Sequence, residues 1–208
     1  MTGKEKLSEC QEGACLPRKG AAKRVFDTAR DLFYKRGIRA VGVDEIVCQA
    51  GVTKPSLYRS FASKDVLVAA CLEQYAEETW AEIDGVVARA GPDPHAQLRA
   101  FVGHYADAML QPDFRGCPMS NTAVEFPEPG HPGRPILENC KIEFRSRLVD
   151  LTRRLDVREP EALADGLLLL IEGAYSTHHI FGTQGPAQAM VTCADALIDA
   201  YCGVAQGA

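Results

Sequence analysis

Apolar residues recur along this chain at intervals of three and four, and no stretch alternates as a half-buried strand would. The first run, Ala22, Val25, Phe26, Ala29, Leu32 and Phe33, gathers on one face and predicts a helix from Ala21. Gly37 stops it, with Lys35 and Arg36 favourably placed in its last turn. A short helix follows over Asp44 to Ala50, with Ile46 and Val47 inward and Gly51 as terminator. Thr53 is positioned to cap a third, Lys54 to Ser60, where Pro55 is tolerated because first-turn amides lack intrahelical partners. Ser63 then caps a longer helix reaching about Arg89, closed by Gly91-Pro92. Further helices are predicted over Gln97 to Leu110, Cys117 to Glu125, Ile136 to Leu155, Pro160 to Phe181 and Pro186 to Tyr201. Four prolines and two glycines make Phe126 to Pro135 a loop. Residues 1–19 carry little periodicity and are expected to form a flexible arm. The fold class is all-α, with about nine helical segments.

Composition changes this picture little. With 46% apolar and 25% charged residues in 208, the chain has the make-up of an ordinary globular protein. The longest uninterrupted aliphatic run, Leu167 to Ile171, is far short of the ~20 residues of a membrane span. Met1 to Gly20 has no apolar core of a signal peptide, so a cytoplasmic location without membrane partners is expected. The eight cysteines form no Cys-x-x-Cys pair, which fits neither a zinc site nor a short secreted disulfide scaffold. Most are expected to be small, reduced core residues.

Charge is more informative once divided. Residues 1–64 hold 13 Lys and Arg against 7 Asp and Glu, a net +6, while the remainder holds 10 against 21, a net −11. A basic first third on an acidic body is what a chain with one polyanion-binding end would show. Drift of charge along any sequence is the competing explanation.

The informative segment runs from Val43 to Phe61 and on through Ala62-Ser63-Lys64-Asp65. Ala50 is small where two short helices cross, Gly51 permits a left-handed turn residue, and Val52 fills the angle between them. Leu57 and Phe61 face inward. Thr53, Lys54, Pro55, Ser56, Tyr58, Arg59 and Ser60 are left on a short, polar, cationic face suited to a groove about 12 Å wide. Val43, at the entry to the second helix, and Lys64, beside the free amides opening the fourth, are further candidates for contact with DNA.

The arrangement Ile46-(x)3-Ala50-Gly51-Val52-Thr53-Lys54-x-Ser56-Leu57-Tyr58-x-x-Phe61-x-Ser63-Lys64-Asp65 resembles the tetracycline-repressor (TetR) family of bacterial regulators. The resemblance covers about Ala21 to Leu72. It implies a helix-turn-helix DNA-binding domain over 20–65 and a larger helical ligand-binding and dimerisation domain over 66–208. It further implies a homodimer through the two C-terminal helices, bound to a pseudo-palindromic double-stranded operator and released by a small-molecule effector. There are departures. Val41-Gly42 stands where the family commonly has threonine before the second helix, which removes one hydroxyl from the phosphate side. Arg59 and Ser60 stand where it often has an aromatic residue or histidine. Arg59 is thereby a candidate for guanine or phosphate, with a solvated surface arginine as the alternative.

Beyond Asp65 no comparable signature is found. Trp80, Tyr105, Met109, Met119, Phe144, Tyr175 and His178 are candidates to line an effector pocket, with core packing as the competing explanation for each. Adjacent histidines on a helix point about 100° apart, so His178-His179 with His104 makes a poor metal set, and neither metal nor cofactor is expected. Cys117, beside Arg115 at a helix N-terminus, is a candidate redox or electrophile sensor, as cysteines are in some regulators of that family. The chain has no phosphate loop, GxSxG elbow or HExxH helix, so an enzyme is not expected. A helical adaptor without DNA activity is the alternative of another class; it would not need a cationic third-helix face.

Overall fold

Helix boundaries fall where short-range chemistry supplies an end. In a computed structural model, which describes residues 20–203, the chain forms nine α-helices and no strand among the described residues. They are α1 (Ala21–Arg36), α2 (Val43–Ala50), α3 (Lys54–Ser60), α4 (Lys64–Arg89), α5 (Pro94–Met109), α6 (Pro118–Glu125), α7 (Arg134–Thr152), α8 (Pro160–Phe181) and α9 (Met190–Gly203). The arm expected over 1–19 lies outside the described residues. The Ser63 hydroxyl accepts the Val66 N–H at 3.1 Å and starts α4 where the sequence places it. Gly51, in the left-handed region at φ 61°, ψ 43°, ends α2 and turns the chain into α3.

Several ends differ from the sequence reading, among them the C-terminus of α7, which stops at Thr152 rather than Leu155. α5 starts at Pro94 rather than Gln97, because the Asp93 carboxylate caps the N–H groups of His95 and Ala96 at 3.2 Å. α7 starts at Arg134, two residues earlier than expected, with Pro135 tolerated in its first turn. Pro186–Ala189 is a 3-10 turn leading into α9, not its first turn.

Two cores result. The first is built by Val25, Ala29, Leu32 and Phe33 of α1, Ile46, Val47 and Ala50 of α2, Leu57 of α3 and the first two turns of α4 (Leu67, Val68, Cys71, Leu72). It also receives Met119 from α6 and Leu137 from α7. The second is an aromatic and aliphatic body of α5, α7, α8 and α9 closed by Ile83 of α4. At 26 residues α4 is the long member, and at about 1.5 Å per residue it runs about 39 Å from one core into the other. No helix among the described residues is long and apolar enough to cross a membrane.

Candidate nucleic-acid interface

The exposed face of α3 is held from behind. Leu57 and Ile46 are fully buried, and the α2–α3 angle is tied by the Val52 N–H on the Val47 carbonyl at 3.0 Å. Arg24 of α1 donates to the Ala50 carbonyl at 3.0 Å, and Arg36 pairs with Glu45, so α1 braces both ends of α2. With that support fixed, Thr53, Lys54, Pro55, Tyr58, Arg59 and Ser60 all stand exposed, and Ser56 is half-buried. Tyr58 keeps 48% of its surface exposed, a large aromatic ring with no core to serve. Thr53 occupies the N-cap of α3, yet its hydroxyl makes no capping bond to a backbone amide. It lies 3.1 Å from the Ser56 hydroxyl instead, correcting the expectation of a threonine cap.

Two lysines of the predicted face are engaged within the protein. Lys54 Nζ lies 2.6 Å from Asp44 of α2, a contact that raises its pKa through the hydrogen bond and the charge of that carboxylate. Both groups are at least half exposed, so the pair is easily exchanged for a phosphate. Lys64 is turned the other way. Its ammonium donates to the Ile38 carbonyl at 2.5 Å and sits 5.8 Å above the Phe33 ring, and burial lowers its pKa. A phosphate contact would require it to leave those partners. Val43 is half-buried at the edge of the first core.

Residues that the sequence did not single out connect this head to the body. Glu125, at the C-terminal end of α6, accepts the N–H groups of Ile38 and Arg39 in the α1–α2 turn, at 3.0 and 2.7 Å. The Tyr34 hydroxyl accepts the Arg115 N–H at 2.8 Å and donates to the Gly116 carbonyl at 3.3 Å. Arg39 stacks over Phe126 at 5.1 Å. The segment from Arg115 to Phe126 is therefore the body element that grips α1 and the turn after it.

The candidates for an effector pocket are placed differently. Tyr105 stacks on Phe144 at 5.0 Å and meets Tyr175 at 5.7 Å, and Trp80 tilts against Phe144 at 6.4 Å. These four form one packed aromatic group in the body core, where burial raises the Tyr105 and Tyr175 phenols well above their usual range. Met119 is separate from them, fully buried in the first core. Met109 and His178 border a cavity of about 210 Å³ beside Ala187 and Thr183. The His178 Nε2 is shielded from solvent without a hydrogen-bond partner.

Cys117 is the N-cap residue of α6, and its neighbours give it chemistry. The Lys141 ammonium of α7 is 3.6 Å from its sulfur and also pairs with Glu172 of α8. Glu172 in turn accepts from Ser120 at 3.0 Å. Burial works against the Lys141 charge, but Cys117 and Glu172 outweigh it and raise the pKa. Gly116, at φ 76°, lets the chain pass His179, whose Nε2 would lie 2.4 Å from any Cβ there. Cys71, Cys117, Cys140, Cys193 and Cys202 are free thiols.

Comparison with known proteins places this geometry. Residues 25–71 match the profile of bacterial regulatory proteins of the tetR family. The transcriptional activator FasR of Mycolicibacterium smegmatis is 34% identical over 108 residues, covering 51% of this chain and 48% of the relative. The transcriptional repressor KstR2 of Rhodococcus jostii is 34% identical over 85 residues, 41% of each chain. The chain thus spans less than half the length of these two curated relatives. A TetR-family transcriptional regulator from Streptomyces coelicolor has a solved structure that superposes with a TM-score of 0.83 at 27% identity, covering 88% of this chain and 90% of that one. A putative regulator from Streptomyces avermitilis superposes at 0.73 and 26% identity over 88% of this chain and 98% of that one.

Proposed function

We propose that this chain is a ligand-responsive transcriptional regulator of the tetR family that binds an operator as a homodimer, a reading supported by the family match over residues 25–71 and by the regulators it resembles. The observation that carries the reading is the exposed face of α3, cationic and aromatic, set on a core that fixes it from behind. The residues assigned to DNA are Val43, Thr53, Lys54, Pro55, Ser56, Tyr58, Arg59, Ser60 and, after leaving Ile38, Lys64. Two such faces about 34 Å apart would enter successive major grooves. The dimer is assigned to α8 and α9. Leu169 and Ile180, three helical turns apart on α8, are 70% and 77% exposed, and the small residues Gly173 and Ser176 between them are exposed too. That stripe supports close packing against a second copy. The expected location is the cytoplasm, with the DNA.

Repression is the output with the fewest requirements, since occupying an operator suffices, whereas activation needs a further surface for polymerase. An effector in the body, beside Met109 and His178, would move α4 and α6 together and change the spacing of the two heads. Once both heads cannot dock at the same time, the avidity of two linked sites is lost. The test is operator binding with DNA flanking the protein's own coding sequence. Tyr58→Ala and Lys54→Ala should each weaken it about tenfold at unchanged melting temperature, and Lys54→Ala should also flatten the salt dependence by about one unit of slope. Normal affinity in both variants would show that the reading face lies elsewhere.

A second reading, that Cys117 senses an electrophile or oxidant, is favoured by the lysine ammonium beside its sulfur. If it holds, Cys117→Ser abolishes release from DNA by an alkylating agent and leaves operator affinity intact. Release at the wild-type level would dispose of it.

A further inference from the structure

A second and larger cavity, about 420 Å³, opens between head and body where α1 faces α4 and α6, apart from the aromatic core of the body and from the α3 face. Its volume falls within the range of sites that hold small organic molecules. The inner wall is apolar and aromatic, with Phe33, Leu72 and Tyr75. The rim carries the carboxylates of Asp27, Asp31 and Glu78. Arg30 is the one cation in the described lining, and both oxygens of Glu78 hold its Nη1 at 2.8 Å. Asp27 and Asp31 are paired with Lys23 and Lys35 at 2.9 and 2.7 Å, but those lysines are 59% and 49% exposed. Exposed pairs of that kind are worth little and are readily surrendered to a less hydrated cation.

We propose that this cavity binds an apolar, planar molecule carrying one positive charge, its ring system against Phe33 and Leu72 and its charge at Asp27 and Asp31. Such an occupant touches the head through α1 and the body through α6 at the same time. It lies beside the Glu125 contacts to Ile38 and Arg39, so its binding favours the head-to-body orientation described above. The body cavity beside His178 is lined by other residues and is not required for it, and neither is DNA binding.

The full chain, free of DNA, is titrated with 9-aminoacridine, a planar fluorescent cation at neutral pH, and with acridine, which has the same ring system and is largely neutral there. One saturable site per chain is expected for 9-aminoacridine, with acridine at least tenfold weaker. Asn121→Trp, which fills the cavity from α6, should weaken the cation at least tenfold. Glu78→Gln, on the exposed rim, frees Arg30 to repel the cation and should weaken it several-fold without affecting acridine. Absence of saturable binding overturns the proposal, as does equal affinity for the two probes. Binding indifferent to Asn121→Trp places the ligand elsewhere with the same consequence, and if that variant melts early the response to Glu78→Gln decides.

Discussion

The α3 face and the aromatic group of the body use some of the same residue types in opposite circumstances. Tyr58 is 48% exposed above a filled core, whereas Tyr105 and Tyr175 are 7% and 8% exposed within one. For the first, packing offers no reason for an aromatic residue, which supports the proposed contact with DNA. For the others, the stack of Tyr105 on Phe144 and the edge-to-face contact of Tyr175 with Phe114 already account for the rings. The proposed functional surface is marked by large polar side chains that the core does not need, not by the presence of aromatic residues.

The largest effect should show whether head and body are two cores or one folding unit. Leu57 and Leu148 are both fully buried, one in each core. Truncating either to alanine should cost about 2–5 kcal/mol, from lost transfer energy and the cavity left behind. Because α4 runs through both cores, and Met119 and Leu137 of the body enter the first, calorimetry should record one transition lowered by either variant. A Leu57→Ala chain that melts in two steps, with the upper step at the wild-type temperature, would separate the regions.

A smaller effect tests the joint between them. Glu125→Gln keeps one carbonyl acceptor for the Ile38 and Arg39 amides but loses the charge and turns an NH2 group toward a donor. Hydrogen bonds to a charged group are worth about 1.5–3 kcal/mol each, so a net loss of about 2 kcal/mol is expected. Hydrogen exchange should quicken in the α1–α2 turn and remain unchanged in α8. Unchanged exchange at residues 38–39 would mean that Glu125 does not hold the head.

How much of this was legible follows the distance over which each feature is encoded. The ends of α1 and α4 and the turn at Gly51 were readable because a serine cap and positive-φ glycines act within a few residues, whereas α3 starts where expected without the threonine cap that suggested it. The α3 face was readable because Leu57 and Phe61 fix its phase. Glu125, by contrast, meets Ile38 and Arg39 across 87 and 86 residues, and Lys141 meets Cys117 across 24. Nothing in local spacing pairs such groups; only the packing of α6 against α1 and α7 does. Lys64 shows the same limit. Its place at the mouth of α4 suggested a phosphate ligand, while the folded chain gives its ammonium a carbonyl on the α1–α2 turn.

The smallest effect contrasts a thiol of the first core with one on the body's outer surface. Cys71 is buried, and desolvation pushes its pKa up to about 12, whereas Cys193 on α9 is exposed. In the unfolded chain a thiol ionises near pH 8.5–9, so between there and about 12 the folded state binds more protons than the unfolded state. The contribution of Cys71 is therefore fully present below about pH 8.5 and is lost as the pH rises, by about 1.4 kcal/mol at pH 10. Urea unfolding at pH 7.5 and 10 should show wild-type protein losing that much more stability than Cys71→Val, in which the buried tyrosines still contribute their shared alkaline loss. Iodoacetamide at pH 8 should label Cys193 and spare Cys71. Equal alkaline losses in the two proteins, or ready labelling of Cys71, would mean that water reaches the first core where α4 crosses it.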